Sequence, residues 1–136
     1  MKLSYLINAL SPEIERIGDY KIYIIGEDND NKKEGYRELP LTDVLIDEEG
    51  EEINLISNTT INQSPEDLVP LTILMFYEKL NAFMPKCADH SIFVSHPIAE
   101  LGKKYLPKID IPIVAYGISE DGKSFALFEQ EPIKDG

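Results

Sequence analysis

The chain has 136 residues, 43% of them hydrophobic, with 13 Lys and Arg against 25 Asp and Glu and a formal net charge of -12. That length gives a single domain spanning 1–136, with one core able to bury about two-thirds of the surface the unfolded chain exposes, so neither a disulfide nor a structural metal is needed for folding. One cysteine, Cys87, rules out an internal disulfide and a multi-cysteine zinc site and points to a reducing cytoplasmic compartment. The acidic balance argues against direct binding to nucleic acid or an anionic membrane, both of which need a concentrated positive field.

In chain order, Leu3, Leu6, Ile7 and Leu10 form one apolar stripe of an N-terminal helix, which Ser11-Pro12 ends or kinks and Ile14 and Ile17 extend as far as Gly18. Ser4 and Asn8 make this segment too polar for an export signal. Lys21 to Ile25, β-branched and aromatic, is the first strand. Gly26 to Gly35 has no apolar side chain and is expected to be a surface loop; Asp28 to Asn31 resemble a calcium loop only superficially, since Lys33 stands where that motif needs Gly and Leu39 where it needs Glu. Tyr36 to Leu39 and Asp43 to Ile46 read as a second strand broken at Pro40. Asp47 to Gly50 is a turn, and Glu52 to Ile56 returns as a strand.

Ser64-Pro-Glu-Asp67 has the form of a helix N-terminus, so a central helix is expected over about 65–84, kinked at Pro70 and apolar around almost its whole circumference. Its run Leu68 to Tyr77 is the most apolar in the chain and half the length a bilayer span requires. Ser91 to Ser95 is a short strand and Pro97 to Leu106 a short helix. Ile111 to Ile118 and Ser124 to Glu129 form a hairpin whose Asp121-Gly122 suits a tight type I′ turn. No internal repeat is apparent. The expected fold is therefore α+β, a mostly antiparallel sheet of about five to seven strands packed against the central helix and the N-terminal helix.

Candidate chemistry is sparse. Cys87, Asp89, His90, Ser91, Ser95 and His96 are the only local cluster of reactive types. On a strand from Ser91 to Ser95, His90 and His96 lie about 20 Å apart and cannot share a metal ion. Cys87 follows a helix C-terminus, which raises rather than lowers a thiol pKa, so Cys87, His90 and His96 are weak catalytic candidates only. No metal site is expected. With 8 Gly and no phosphate-loop pattern among them, no nucleotide cofactor is expected either.

Charge is uneven: residues 1–60 hold 14 acids and 6 bases, residues 61–136 hold 11 and 7. Glu27, Asp28 and Asp30 in one loop and Glu48, Glu49, Glu51 and Glu52 around one turn are the candidate binding residues for a basic protein partner. The expected function is a non-enzymatic cytoplasmic interaction or regulatory protein of a bacterium or its mobile elements. The alternatives are an immunity-type or nucleic-acid-mimic protein using the acidic loops, and a small hydrolase or transferase using Cys87, His90 or His96. The circumferentially apolar helix further suggests a homodimer.

Overall fold

The structure is a computed structural model that describes residues 1–27, 36–57, 69–97 and 108–130. Helix α1 (Leu3–Leu10) buries the expected stripe of Leu3, Leu6, Ile7 and Leu10, and leads through a 3-10 turn over Ser11–Glu13 into α2 (Ile14–Ile17). Pro12 sits at the start of that turn, where its missing N–H costs nothing. Then follow β1 (Lys21–Glu27), β2 (Tyr36–Pro40), β3 (Asp43–Asp47), β4 (Glu52–Ile56), α3 (Ile73–Asn81), β5 (Ser91–Pro97), β6 (Lys108–Ser119) and β7 (Ser124–Glu129).

All seven strands join one sheet in the order β2-β1-β7-β6-β5-β4-β3. The expectation of a mostly antiparallel sheet is corrected: the sheet is mixed, with parallel ladders where β1 meets β7 and where β4 meets β5. These pairs come from distant parts of the chain, so no hairpin sets their direction. The two edge strands, β2 and β3, are consecutive in sequence and separated only by Leu41 and Thr42. The Leu41 N–H donates to Ile22 O (3.0 Å) and the Thr42 N–H to Ile56 O (2.9 Å). Residues 36–47 thus act as one bent strand that serves β1 with its first half and β4 with its second, curling the sheet until its edges meet. Long strand β6 does the same, pairing with β5 up to Pro112 and with β7 beyond.

This parallel between 36–47 and β6 extends to the whole chain and corrects the expectation of no internal repeat. Residues 1–27 match 71–97, and 36–57 match 108–129, in their leading helices and their strands; the 3-10 turn and α2 correspond to turns at 82–87, and β2 with β3 to the single strand β6. Tyr23↔Pro40 recurs as Phe93↔Pro112, Val44↔Leu55 as Tyr116↔Leu127, and the parallel pair Lys21↔Ser124 as Ser91↔Glu52. Hydrogen bonds between the halves recur as well. Ile22 N–H to Leu71 O (3.0 Å) is mirrored by Ile92 N–H to Met1 O (2.9 Å), and Ile73 N–H to Tyr20 O (2.9 Å) by Leu3 N–H to His90 O (2.9 Å). Leu71 N–H to Leu41 O (2.8 Å) is mirrored by the Met1 nitrogen on Ile113 O (3.0 Å). The fold is therefore a pseudo-twofold pairing of two α-β-β-β halves, each seating the start of its helix in the strands of the other.

The pairing explains where α3 begins. Residues 69–72 are not helical; Leu71 and Thr72 run extended beside β1, and the Thr72 hydroxyl accepts from Met75 N–H (3.3 Å) as the N-cap. The helix over about 65–84 is thus corrected at both ends to Ile73–Asn81. Pro70 favours this, since proline biases the residue before it away from the helical region. Ser64 to Leu68 lie outside the described residues, as do Asp28 to Gly35 and the expected helix beyond Pro97. Pro97 itself ends β5. The final hairpin is present, but Ser119 pairs with Ser124 across four residues, so the two-residue type I′ turn is corrected to a longer loop. Ile73, Phe76 and Leu80 of α3 join the α1 stripe, Ile22, Ile24, Ile53, Leu55, Ile92, Val94, Phe125 and Leu127 in one core on the concave face of the sheet.

Candidate functional site

Where β5 and β6 separate, the first two residues of the chain wedge between them and α1 continues along the gap. Met1 bonds Ile113 O on one side and accepts from Ile92 N–H on the other. Beyond that wedge, α1 and β6 leave a groove of about 900 Å³. Its helix side is Met1, Lys2, Ser4, Tyr5 and Asn8, the flank opposite the buried stripe; its strand side is Val114, Ala115 and Tyr116. Tyr5 (60%) and Val114 (53%) are strongly exposed within it. The register of β6 against β7 shifts between Ile113 and Ala115, and this bulge turns Val114 outward. Tyr116 is fixed from behind by stacking on Phe125, with ring centroids 5.5 Å apart.

The equivalent position in the other half carries an ion pair. There Lys79 Nζ of α3 reaches Asp43 Oδ1, at the start of β3, at 3.3 Å. The Val44 N–H and then Lys79 hold the Asp43 carboxyl below its ordinary pKa. At the corresponding places beside the groove stand Ala9 and Ala115. The halves follow one plan, and at these two positions the side chains that make the ion pair are replaced by alanine beside the groove. No known protein family, curated protein or solved structure matches the chain. The comparison of the chain with itself is thus the reference for what is special about the groove.

None of the groove residues stood out in the sequence. Aligning 1–27 with 71–97 and 36–57 with 108–129 would have marked the Ala9/Lys79 and Ala115/Asp43 differences.

The residues that did stand out are elsewhere. Cys87 is fully buried and occupies the core position that Ile17 holds in the first half. His90 is 8% exposed and corresponds to Tyr20. Its Nε2 is buried without a hydrogen-bond partner among the described residues, while its backbone N–H donates to Cys87 O (3.0 Å). Asp89 is exposed, with Lys2 Nζ 3.9 Å away. His96 is on β5 opposite Ile109, six residues beyond His90. The structure does not bring Cys87, His90 and His96 together as a catalytic set: one is sealed in the core and the other two bracket a strand.

Two polar clusters also recur. Arg16 donates to Glu120 and to Glu13 (2.8 Å), and the Tyr20 hydroxyl donates to Glu120 Oε2 (3.1 Å). Glu120 and then Glu13 raise the Arg16 pKa, burial and then Glu120 raise that of Tyr20, and Arg16 and then Tyr20 lower that of Glu120. The counterpart is Lys86 Nζ on Glu48 Oε1 at 3.1 Å. Each pair fastens the end of a helical segment to a hairpin turn of the opposite half.

Of the acidic candidates, Glu48, Glu49 and Glu51 are exposed on the β3–β4 turn and Glu52 is half-buried at the start of β4. Glu27 ends β1; Asp28 and Asp30 lie outside the described residues. The base of the β1–β2 hairpin, Glu27↔Tyr36, and that of the β3–β4 hairpin, Asp47↔Glu52, lie at opposite ends of the 36–47 strand.

Proposed function

We propose that the chain is a non-enzymatic protein-interaction domain that holds its partner in the groove between α1 and β6. The observation that carries this is the groove itself, lined by exposed Tyr5 and Val114 where the other half carries the Asp43–Lys79 ion pair. Surface of that kind, an aromatic and an aliphatic side chain beside hydroxyl, amide and ammonium groups, suits recognition better than chemistry. Among the described residues, its lining has no cysteine, histidine or carboxylate to act as nucleophile or base. A cytoplasmic setting, suited to the lone thiol, belongs to the same reading. Among the described residues, no helix is long and apolar enough to cross a membrane.

The test is site-specific photocrosslinking in cell extract. A photoreactive residue at Tyr5 should give a discrete adduct, and one at Met75, the matching position on α3, should not. Rebuilding the ion pair with Ala9→Lys and Ala115→Asp should abolish the Tyr5 adduct. Equal labelling from both helices would defeat the proposal.

A second reading draws on the exposed Glu48, Glu49 and Glu51 at one turn: a docking surface for a basic partner. It predicts binding that weakens as salt shortens the screening length below about 10 Å, and that falls when these residues and Glu52 become Gln.

A further inference from the structure

The strand side of the groove is an open sheet edge. Among the described residues, strand β6 meets β5 only as far as Pro112, and from Ala115 to Ser119 it is paired on one side alone, by β7. In an antiparallel ladder every second residue turns its N–H and C=O away from the partner strand, so about 16 Å of edge carries backbone donors and acceptors turned away from β7, beginning at Ala115 and Tyr116 in the groove lining. Among the described residues, the last backbone contact on that side is Met1 on Ile113 O.

Sheet edges are normally blunted by charge. The matching edge, β3, obeys this: Asp43 and Asp47 stand at its two ends and Lys79 pairs with Asp43. On β6 no charged residue occurs between Asp110 and Glu120. Of two edges built on one plan, one carries charge and the other is uncharged, unpaired among the described residues and next to a groove.

We propose that the β6 edge accepts an extended peptide segment of a partner protein as an added strand, running between β6 and α1. This rests on the reading of the groove as the binding site. The occupant is apolar on alternate residues, to meet Val114, Tyr5 and Tyr116, and basic where it passes Glu120 and Asp121. The chain carries a net charge of -12, and the edge runs directly into Glu120 and Asp121 of the next turn. Lys2, at the far end, has Asp89 beside it. Main-chain hydrogen bonds supply affinity and the alternate side chains supply selectivity.

The experiment pans a random heptapeptide phage library against the full chain and resynthesises enriched peptides with alternate backbone nitrogens methylated. Selected sequences should alternate apolar with Lys or Arg, shift the amide signals of residues 114–119 and α1, and slow hydrogen exchange along that edge. Methylation at the strand-facing nitrogens should weaken binding at least tenfold, and so should Ala9→Lys with Ala115→Asp. Should that double variant not fold, the methylated peptides on the unaltered chain decide the matter. Peptides that bind the groove regardless of methylation, or as helices, would overturn strand addition and leave the groove as the binding site. Peptides that map elsewhere would overturn both, and a library yielding no binder would overturn strand addition.

Discussion

At the residue scale, the two halves act as natural substitution experiments on each other. Ile17 and Cys87 fill one core position, so the thiol serves as a small apolar group. Cys87→Ser should cost about 1–3 kcal/mol, because it buries a hydroxyl where a sulfur made no demand. Cys87→Val should cost less than about 1.5 kcal/mol. Denaturant midpoints check both, and the native thiol should resist aromatic disulfide reagents until the chain unfolds. The Asp43–Lys79 pair is nearly half exposed on both sides, so Asp43→Asn should lose less than about 1 kcal/mol. Its pH dependence has a fixed sign. The folded carboxyl titrates below its ordinary value of 3.8, so the contribution is present above that value and is lost as the pH falls through the lower folded pKa. In Asp43→Asn that part of the acid-side loss should be absent. Cys87 and the histidines drew notice in the sequence because their atoms are reactive. Burial and spacing, which decide whether reactivity is usable, were not legible there.

At the element scale, the hairpin turns show what local sequence does convey. Asp47 to Gly50 and Ser119 to Lys123 are readable as turns from their glycines, and in the structure both glycines sit against the side chain that opens the turn. Gly50 N–H donates to Asp47 Oδ1 (3.0 Å) and Gly122 N–H to Ser119 Oγ (3.3 Å), and a Cβ on Gly50 would lie 2.5 Å from Asp47 Oδ2. The turn type was misread because the left-handed residue comes one position later, at Glu51 (φ 54°) and Lys123 (φ 48°), where neither sequence has glycine. Lys123→Gly should therefore stabilise the protein by about 0.5–1 kcal/mol, relief of the left-handed strain exceeding the added unfolded-state entropy. An unchanged or lowered denaturation midpoint would count against it. The start of α3 was misplaced for a related reason. Leu71 and Thr72, inside the expected helix, instead bond Ile22, Leu41 and Lys21's strand, partners the local sequence does not reveal.

At the scale of the whole molecule, the apolar excess of the central helix was read as a surface for a second copy, and much of it is met within the chain. Ile73, Phe76 and Leu80 are buried in the common core, with Leu74, Met75 and Phe83 left exposed. Of these only Leu74 and Met75 are on α3 itself, while Phe83, like Val69, is exposed beyond its ends. The repeat itself escaped notice because few identities survive. Leu10/Leu80, Asp19/Asp89 and Ile22/Ile92 lie at one spacing, and Pro40/Pro112, Ile46/Ile118, Glu48/Glu120, Gly50/Gly122 and Leu55/Leu127 at another two residues longer. What persists between the halves is the alternation of buried positions and the turn glycine, which packing constrains, while surface positions have diverged. The interlacing has a consequence for folding. Each helix begins in hydrogen bonds to the opposite half, through Leu3 N–H to His90 O and Ile73 N–H to Tyr20 O, so neither half can complete its core alone. A chain cut within 58–68 should give two fragments that are each largely unstructured by circular dichroism and amide spectra. Mixed in equal amounts, they should regain the intact spectrum and unfold in a single transition whose midpoint rises with concentration, as mass action requires of an assembled pair. A fragment that folds by itself with native dispersion would show that the halves are separable domains and would refute the interlaced account.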